Sequence, residues 1–175
     1  REVDSHRRLL NNVSPITLLV NCNDGKQGAA IEKGMAPDTD KFARDYDLMR
    51  ACAFLGIVKE CNGVWWWWFA RDNGGKYYSA SRSPKAWADR VQVIKELRSI
   101  RPLVTADGAV VTGTAAEGKD RVEWWRKTVD GKAIFIAVNT ADHPVSVTVA
   151  VPGDAPRKLT LRRYEVLTEG FNQLD

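Results

Sequence analysis

The sequence predicts two architectures in series, an α/β part over residues 1–103 and an all-β part over residues 104–175. Three observations carry this. Helical and strand-like patterns alternate up to Leu103, the mark of a parallel sheet with covering helices. From Leu103 onward the chain reads as strands and turns. Within the first part, the run Gly63-Val64-Trp65-Trp66-Trp67-Trp68-Phe69 is bulky and apolar on both faces. Successive strand side chains point opposite ways, so such a strand must be covered on both sides, as parallel strands are.

The elements follow in order. Val3 to Asn12 reads as a short polar helix stopped by Ser14-Pro15. Ile16 to Cys22 is an apolar run of strand length, followed by a long polar loop to Ala36. Pro37-Asp38-Thr39-Asp40 looks like a helix start with acids in its first turn, and Phe42, Tyr46, Met49, Ala53 and Gly56 form the apolar stripe. Asn62-Gly63 is expected to end that helix, with Gly63 in the left-handed cap. The tryptophan strand comes next, then a polar loop from Arg71 to Arg82. Ser83 is suited to an N-cap and Pro84 to the first helical position. Trp87, Val91, Ile94 and Leu97 stripe this helix, which Pro102 should close. Asp130-Gly131 is a hairpin signal between Val122–Val129 and Lys132–Val138. Val145, Val147, Val149 and Val151 alternate with Ser146, Thr148 and Ala150, Asp142-His143-Pro144 and Pro152-Gly153-Asp154 mark turns, and Arg157 to Val166 is the last clear strand. The second part is thus expected to be an antiparallel β-sandwich of roughly five to seven strands.

Composition excludes several classes. Seven tryptophans stand out in an otherwise ordinary globular composition. The net charge of +4 is mild and its basic residues are scattered, so nucleic acid is not an expected partner. No apolar run is long enough for a membrane span. Cys22, Cys52 and Cys61 lack metal-ligand spacing, and neither a metal, a cofactor nor a thiol nucleophile is expected. The chain does not start with Met, which suggests a fragment or a processed chain.

The order of elements, with Met49 to Gly56, Lys59 to Trp66, the Ser83-Pro84 helix, Arg98 to Leu103 and Asp130 to Thr140, resembles the C-terminal part of (β/α)8-barrel glycoside hydrolases that carry a β-sandwich after the barrel. In that comparison the Ile16 strand looks like barrel strand seven, the tryptophan strand like strand eight, and the Trp87 helix like the last barrel helix. The resemblance implies the last strands and helices of an incomplete (β/α)8 barrel plus an antiparallel β-sandwich. It also implies a piece of a carbohydrate-active hydrolase, inactive alone, forming one wall of a cleft for an oligo- or polysaccharide. Such enzymes use two carboxyl groups. In the largest clan of these barrels the acid ends strand four, which this sequence lacks, and a nucleophilic Glu ends strand seven, where this sequence has Asn23-Asp24. The main carboxylates are therefore expected upstream, with Asp24 the catalytic candidate on this chain; Asp24-Gly25 is equally a turn pair.

Barrel sites lie at the carboxyl ends of strands. That places the substrate-binding candidates at Asn21, Asn23, Trp67, Trp68, Arg71, Asp72, Tyr77 and Tyr78. The asparagines, Arg71 and Asp72 suit sugar hydroxyls, and Trp67 or Trp68 a sugar ring; loop turns, ion pairs and packing are the plainer roles of the same residues. Trp65 and Trp66 are expected to pack. Of Trp124-Trp125, one should fill a core and the other face a seam or a sugar. A non-catalytic carbohydrate-binding protein and a structural support are the competing functions.

Overall fold

A computed structural model of the protein describes residues 17–21, 45–67 and 84–171. The element order is β1 (Thr17–Asn21), α1 (Tyr46–Val58), β2 (Gly63–Trp67), α2 (Pro84–Thr105), β3 (Ala109–Glu117), β4 (Asp120–Val129), β5 (Lys132–Asn139), β6 (Val145–Val149), β7 (Arg157–Leu161) and β8 (Val166–Glu169). β1 and β2 pair in parallel as a two-stranded sheet. The remaining strands are antiparallel, in a four-stranded sheet of order β3-β4-β5-β8 and a two-stranded sheet β6-β7.

This corrects the expected fold. The described residues form a small α/β protein with two helices and mostly antiparallel strands, and no (β/α)8 barrel fragment is shown. The physical reason lies in what the helices cover. In a barrel, helices wrap the parallel strands. Here Ala51, Phe54 and Val58 of α1 and Ile100 of α2 bury themselves against Trp125, Ile134, Ile136, Val138 and Val166 of the antiparallel sheet. The other face of that sheet, with Val122, Trp124, Phe135 and Ala137, packs on Val145, Val147, Val149, Leu159 and Leu161 of β6 and β7. The four-stranded sheet is therefore the middle layer of three. β5 shows this most directly: from Ile134 to Asn139 every residue is buried, because both its faces are covered. A third, smaller cluster joins Met49 and Ala53 of α1 to Ala86 and Val93 of α2, with Val64 and Trp66 of β2 packed against it.

Local chemistry explains the boundaries. Asp45 caps α1, its carboxylate accepting the Asp47 N–H at 2.9 Å, a cap worth about 1 kcal/mol. The expected start at Pro37-Asp38-Thr39-Asp40 lies outside the described residues, and α1 begins at Tyr46. It also ends before Gly63: the Lys59 and Glu60 N–H groups donate to the Leu55 and Ile57 carbonyls, and Glu60, not Gly63, takes the left-handed conformation at φ 52°. Pro84 is the first residue of α2, and Ser83 lies outside the described residues. Pro102 does not close the helix, which runs three residues further. In the last turn a proline removes one hydrogen bond but leaves the following carbonyls free to be capped. Buried Lys127 donates its ammonium to the carbonyls of Val104, at 2.8 Å, and Ala106.

In the sheets, Asp130 (φ 50°) and Gly131 (φ 76°) form the two-residue hairpin loop between β4 and β5, both left-handed as a type I′ turn demands. The expected Arg157–Val166 strand is two strands. Tyr164 turns left-handed at φ 52°, and the chain passes from the β6-β7 sheet to the edge of the other, where β8 pairs with β5.

Candidate functional site

The parallel pair brings two of the expected site residues together. The register aligns Asn21 with Trp67, so both end their strands at the same edge. Because parallel strands share a direction, this is the carboxyl edge, where open α/β sheets bind ligands. Asn23, Asp24, Trp68, Arg71, Asp72, Tyr77 and Tyr78 lie outside the described residues. So do Val3–Asn12 and the loops following β1 and β2.

The tryptophan strand divides as its alternation requires, but not as expected in detail. Val64 and Trp66 turn toward α1 and α2, packed on the cluster around Met49 and Val93. Trp65, on the opposite face, is 70% exposed. Packing was the expected role, and it fails because the β1-β2 sheet carries helices on the Val64–Trp66 side, while Trp65 faces outward. An indole this exposed is an unused apolar plane with a polar N–H at its edge.

The second tryptophan pair is spent on structure. Trp124 is 5% and Trp125 2% exposed. Trp124 lies in the core between the two antiparallel sheets, stacked on Phe135 with centroids 6.4 Å apart. Trp125 fills the core shared with α1 and α2, so neither offers a platform for sugar. Glu123 is equally structural: it accepts from Lys59 Nζ at 3.0 Å and Thr114 Oγ1 at 2.7 Å, tying the end of α1 to the sheet.

Two polar constellations had no clear signal in the sequence. Arg50 of α1 donates to the Glu96 carboxylate of α2, through Nε at 2.8 Å, and to the Val166 carbonyl of β8 at 3.0 Å, while its guanidinium lies 5.0 Å from the Phe54 ring centroid. Partners 46 and 116 residues away are invisible to local pattern. His143 is held at both nitrogens, Nε2 to Asp120 at 3.0 Å and Nδ1 to Asp142 at 2.9 Å. The two carboxylates favour the imidazolium, Asp120 foremost, and raise the pKa of His143 above its ordinary 6.5. The hydrogen bond to His143 in turn lowers that of Asp142. Adjacency of Asp142 and His143 suggested a turn; Asp120 is the partner that pins it. The two ring nitrogens aim at different carboxylates, so the three groups do not converge on one point. Among the described residues no cluster of His, Cys, Asp or Glu could hold a metal ion, and no helix is long and apolar enough to cross a membrane.

Comparison of the sequence with protein-family models, with curated proteins and with solved structures finds no match.

Proposed function

We propose that the chain recognises carbohydrate, with the β1-β2 pair as the binding element. The observation that carries this is Trp65, an indole 70% exposed on the strand that ends at Trp67 opposite Asn21. Leaving a large apolar ring in water forgoes roughly 1.5–3 kcal/mol of burial, a cost that a ligand's apolar face would offset. The C–H face of a sugar ring suits a flat indole, and an amide such as that of Asn21 supplies the donor and acceptor that sugar hydroxyls need. Participation in glycoside hydrolysis is the narrower form of this proposal. It requires two carboxyl groups separated by about 5–10 Å across the glycosidic bond, and Asp24 is the candidate this chain would contribute.

The test is titration of the chain with cello-, xylo- and malto-oligosaccharides, read by tryptophan fluorescence. Binding should quench or shift the emission saturably, and Trp65→Ala should abolish the change. A response that survives in Trp65→Ala, or none from any of the three series, would remove the basis of the proposal. Reducing-sugar release by the protein in its longest available form separates hydrolysis from binding alone.

A further inference from the structure

A cleft of about 330 Å³ opens between the end of α1, the start of β2 and one side of α2. Its volume is at the lower end of what small-molecule sites enclose. Ile57, Val64, Trp66, Ile94 and Leu97 give it an apolar lining, and Arg98 and Arg101 line it as well. The two arginines stand three residues apart, on one face of α2. Both are exposed, and neither guanidinium makes an ion pair or a hydrogen bond with another described residue. Among the described residues no carboxylate lines the cleft. Two fixed positive charges beside apolar surface, with no described acid paired to them, are complementary to one kind of ligand.

We propose that this cleft binds a small amphipathic anion, its apolar body against Trp66 and Leu97 and its carboxylate, sulfonate or phosphate head on Arg98 and Arg101. Planar guanidinium groups bind such heads through paired N–H bonds, stronger than neutral hydrogen bonds. One effect opposes this: the carboxyl ends of α1 and α2 border the cleft, and helix ends of that polarity repel anions with about half a charge each. Both ends are largely quenched. The Gly56 and Ile57 carbonyls accept from the N–H groups of Cys61 and Glu60, and Lys127 covers those of Val104 and Ala106. Two whole charges therefore outweigh two capped partial ones. The cleft lies on the Val64–Trp66 face of β2, opposite the face that exposes Trp65.

The probes are 8-anilinonaphthalene-1-sulfonate and its uncharged relative N-phenyl-1-naphthylamine, titrated into the full chain. The sulfonate should bind at one site per chain, and about tenfold or more tightly than the neutral dye, the expectation for a charge-assisted contact. Arg98→Gln/Arg101→Gln should erase that preference while leaving the neutral dye's affinity and the melting transition unchanged. Lys95→Gln, an exposed cation of α2 outside the cleft lining, should leave both affinities as they are. Occupancy should also slow alkylation of Cys61, which lines the cleft, by iodoacetamide, read by peptide mass mapping. The proposal is overturned if the double variant keeps the sulfonate preference, if Lys95→Gln weakens binding as much, or if Cys61 reacts at the same rate with the dye bound.

Discussion

Replacing Asn139 by alanine is expected to cost about 3 kcal/mol of stability, the sum of three hydrogen bonds at about 1 kcal/mol each. Asn139 is 0% exposed at the end of β5. Its amide donates to the His143 carbonyl at 2.9 Å and the Arg162 carbonyl at 2.8 Å, and its carbonyl accepts the Ala141 N–H at 2.9 Å. One side chain thus joins the last residue of a middle-layer strand to the turn before β6 and the turn between β7 and β8. Those backbone groups belong to residues that are exposed or half-buried, so water can reach them once the amide is gone. That sets the cost near the low end of the range of about 1–3 kcal/mol for each orphaned group. Asn139→Asp is the sharper perturbation. Its shape is the same, but an acceptor replaces the donor that faces two carbonyls, and a charge is buried. At neutral pH it should cost at least about 1 kcal/mol more than alanine. Urea denaturation with equal slopes for all three proteins gives the differences directly. A loss below about 1 kcal/mol for Asn139→Ala, or an aspartate variant as stable as the alanine one, would refute the claim that this amide ties the end of β5 to the two turns.

Trp65→Ala should change stability by less than about 0.5 kcal/mol, because an exposed residue contributes little to folding, while removing the sugar response; urea denaturation and fluorescence titration read the two separately. Gly113 lies opposite Trp124 in the β3-β4 register, and a Cβ there would stand 2.3 Å from Cζ2 of the buried indole. Gly113→Ala should therefore cost about 1–3 kcal/mol by overpacking, seen as a lower urea midpoint. His143 makes stability depend on pH. Its folded pKa is raised above 6.5, so its contribution is fully present below that value and is lost as pH rises through the folded pKa. Denaturation midpoints should fall over that window in the parent and stay flatter in His143→Gln, and the imidazole signals should titrate above 6.5 by NMR.

Legibility followed the range of the interaction. The Asp130-Gly131 hairpin was readable because two adjacent left-handed residues are a local demand that few residue types meet. Pro84 opening a helix and the Val145–Val149 alternation were readable for the same reason. The β3-β4 hairpin, turned through Gly118 at φ 62°, carries a Gly-X turn signal in Gly118-Lys119. The passage of α2 beyond Pro102 was not readable, since the cap that permits it comes from Lys127 on another element. Nor was the break at Tyr164: a tyrosine in the left-handed region carries no turn signature. Of the candidate site, the sequence identified the edge where Asn21 and Trp67 meet, but the structure alone revealed that Trp65 is open to solvent.

The tryptophan run shows why the fold expectation went astray. The expectation runs from bulk on both faces of a strand to cover on both, and from cover on both to a parallel sheet. The first step treats a sequence pattern as a statement about neighbours, which it is not. β5 satisfies the rule, with Ile134, Ile136 and Val138 on one layer and Phe135 and Ala137 on the other, and it is antiparallel. Two-sided burial therefore marks a middle layer, whatever the strand direction. β2 breaks the rule at Trp65: Trp66 packs and Trp65 does not. An alternation of four identical residues carries no information about which face is covered, so only the position of α1 and α2 decides it. That asymmetry is also what makes carbohydrate recognition testable on this chain, because the packed indole and the open one are adjacent, and substituting Trp65 leaves the core that holds Trp66 intact.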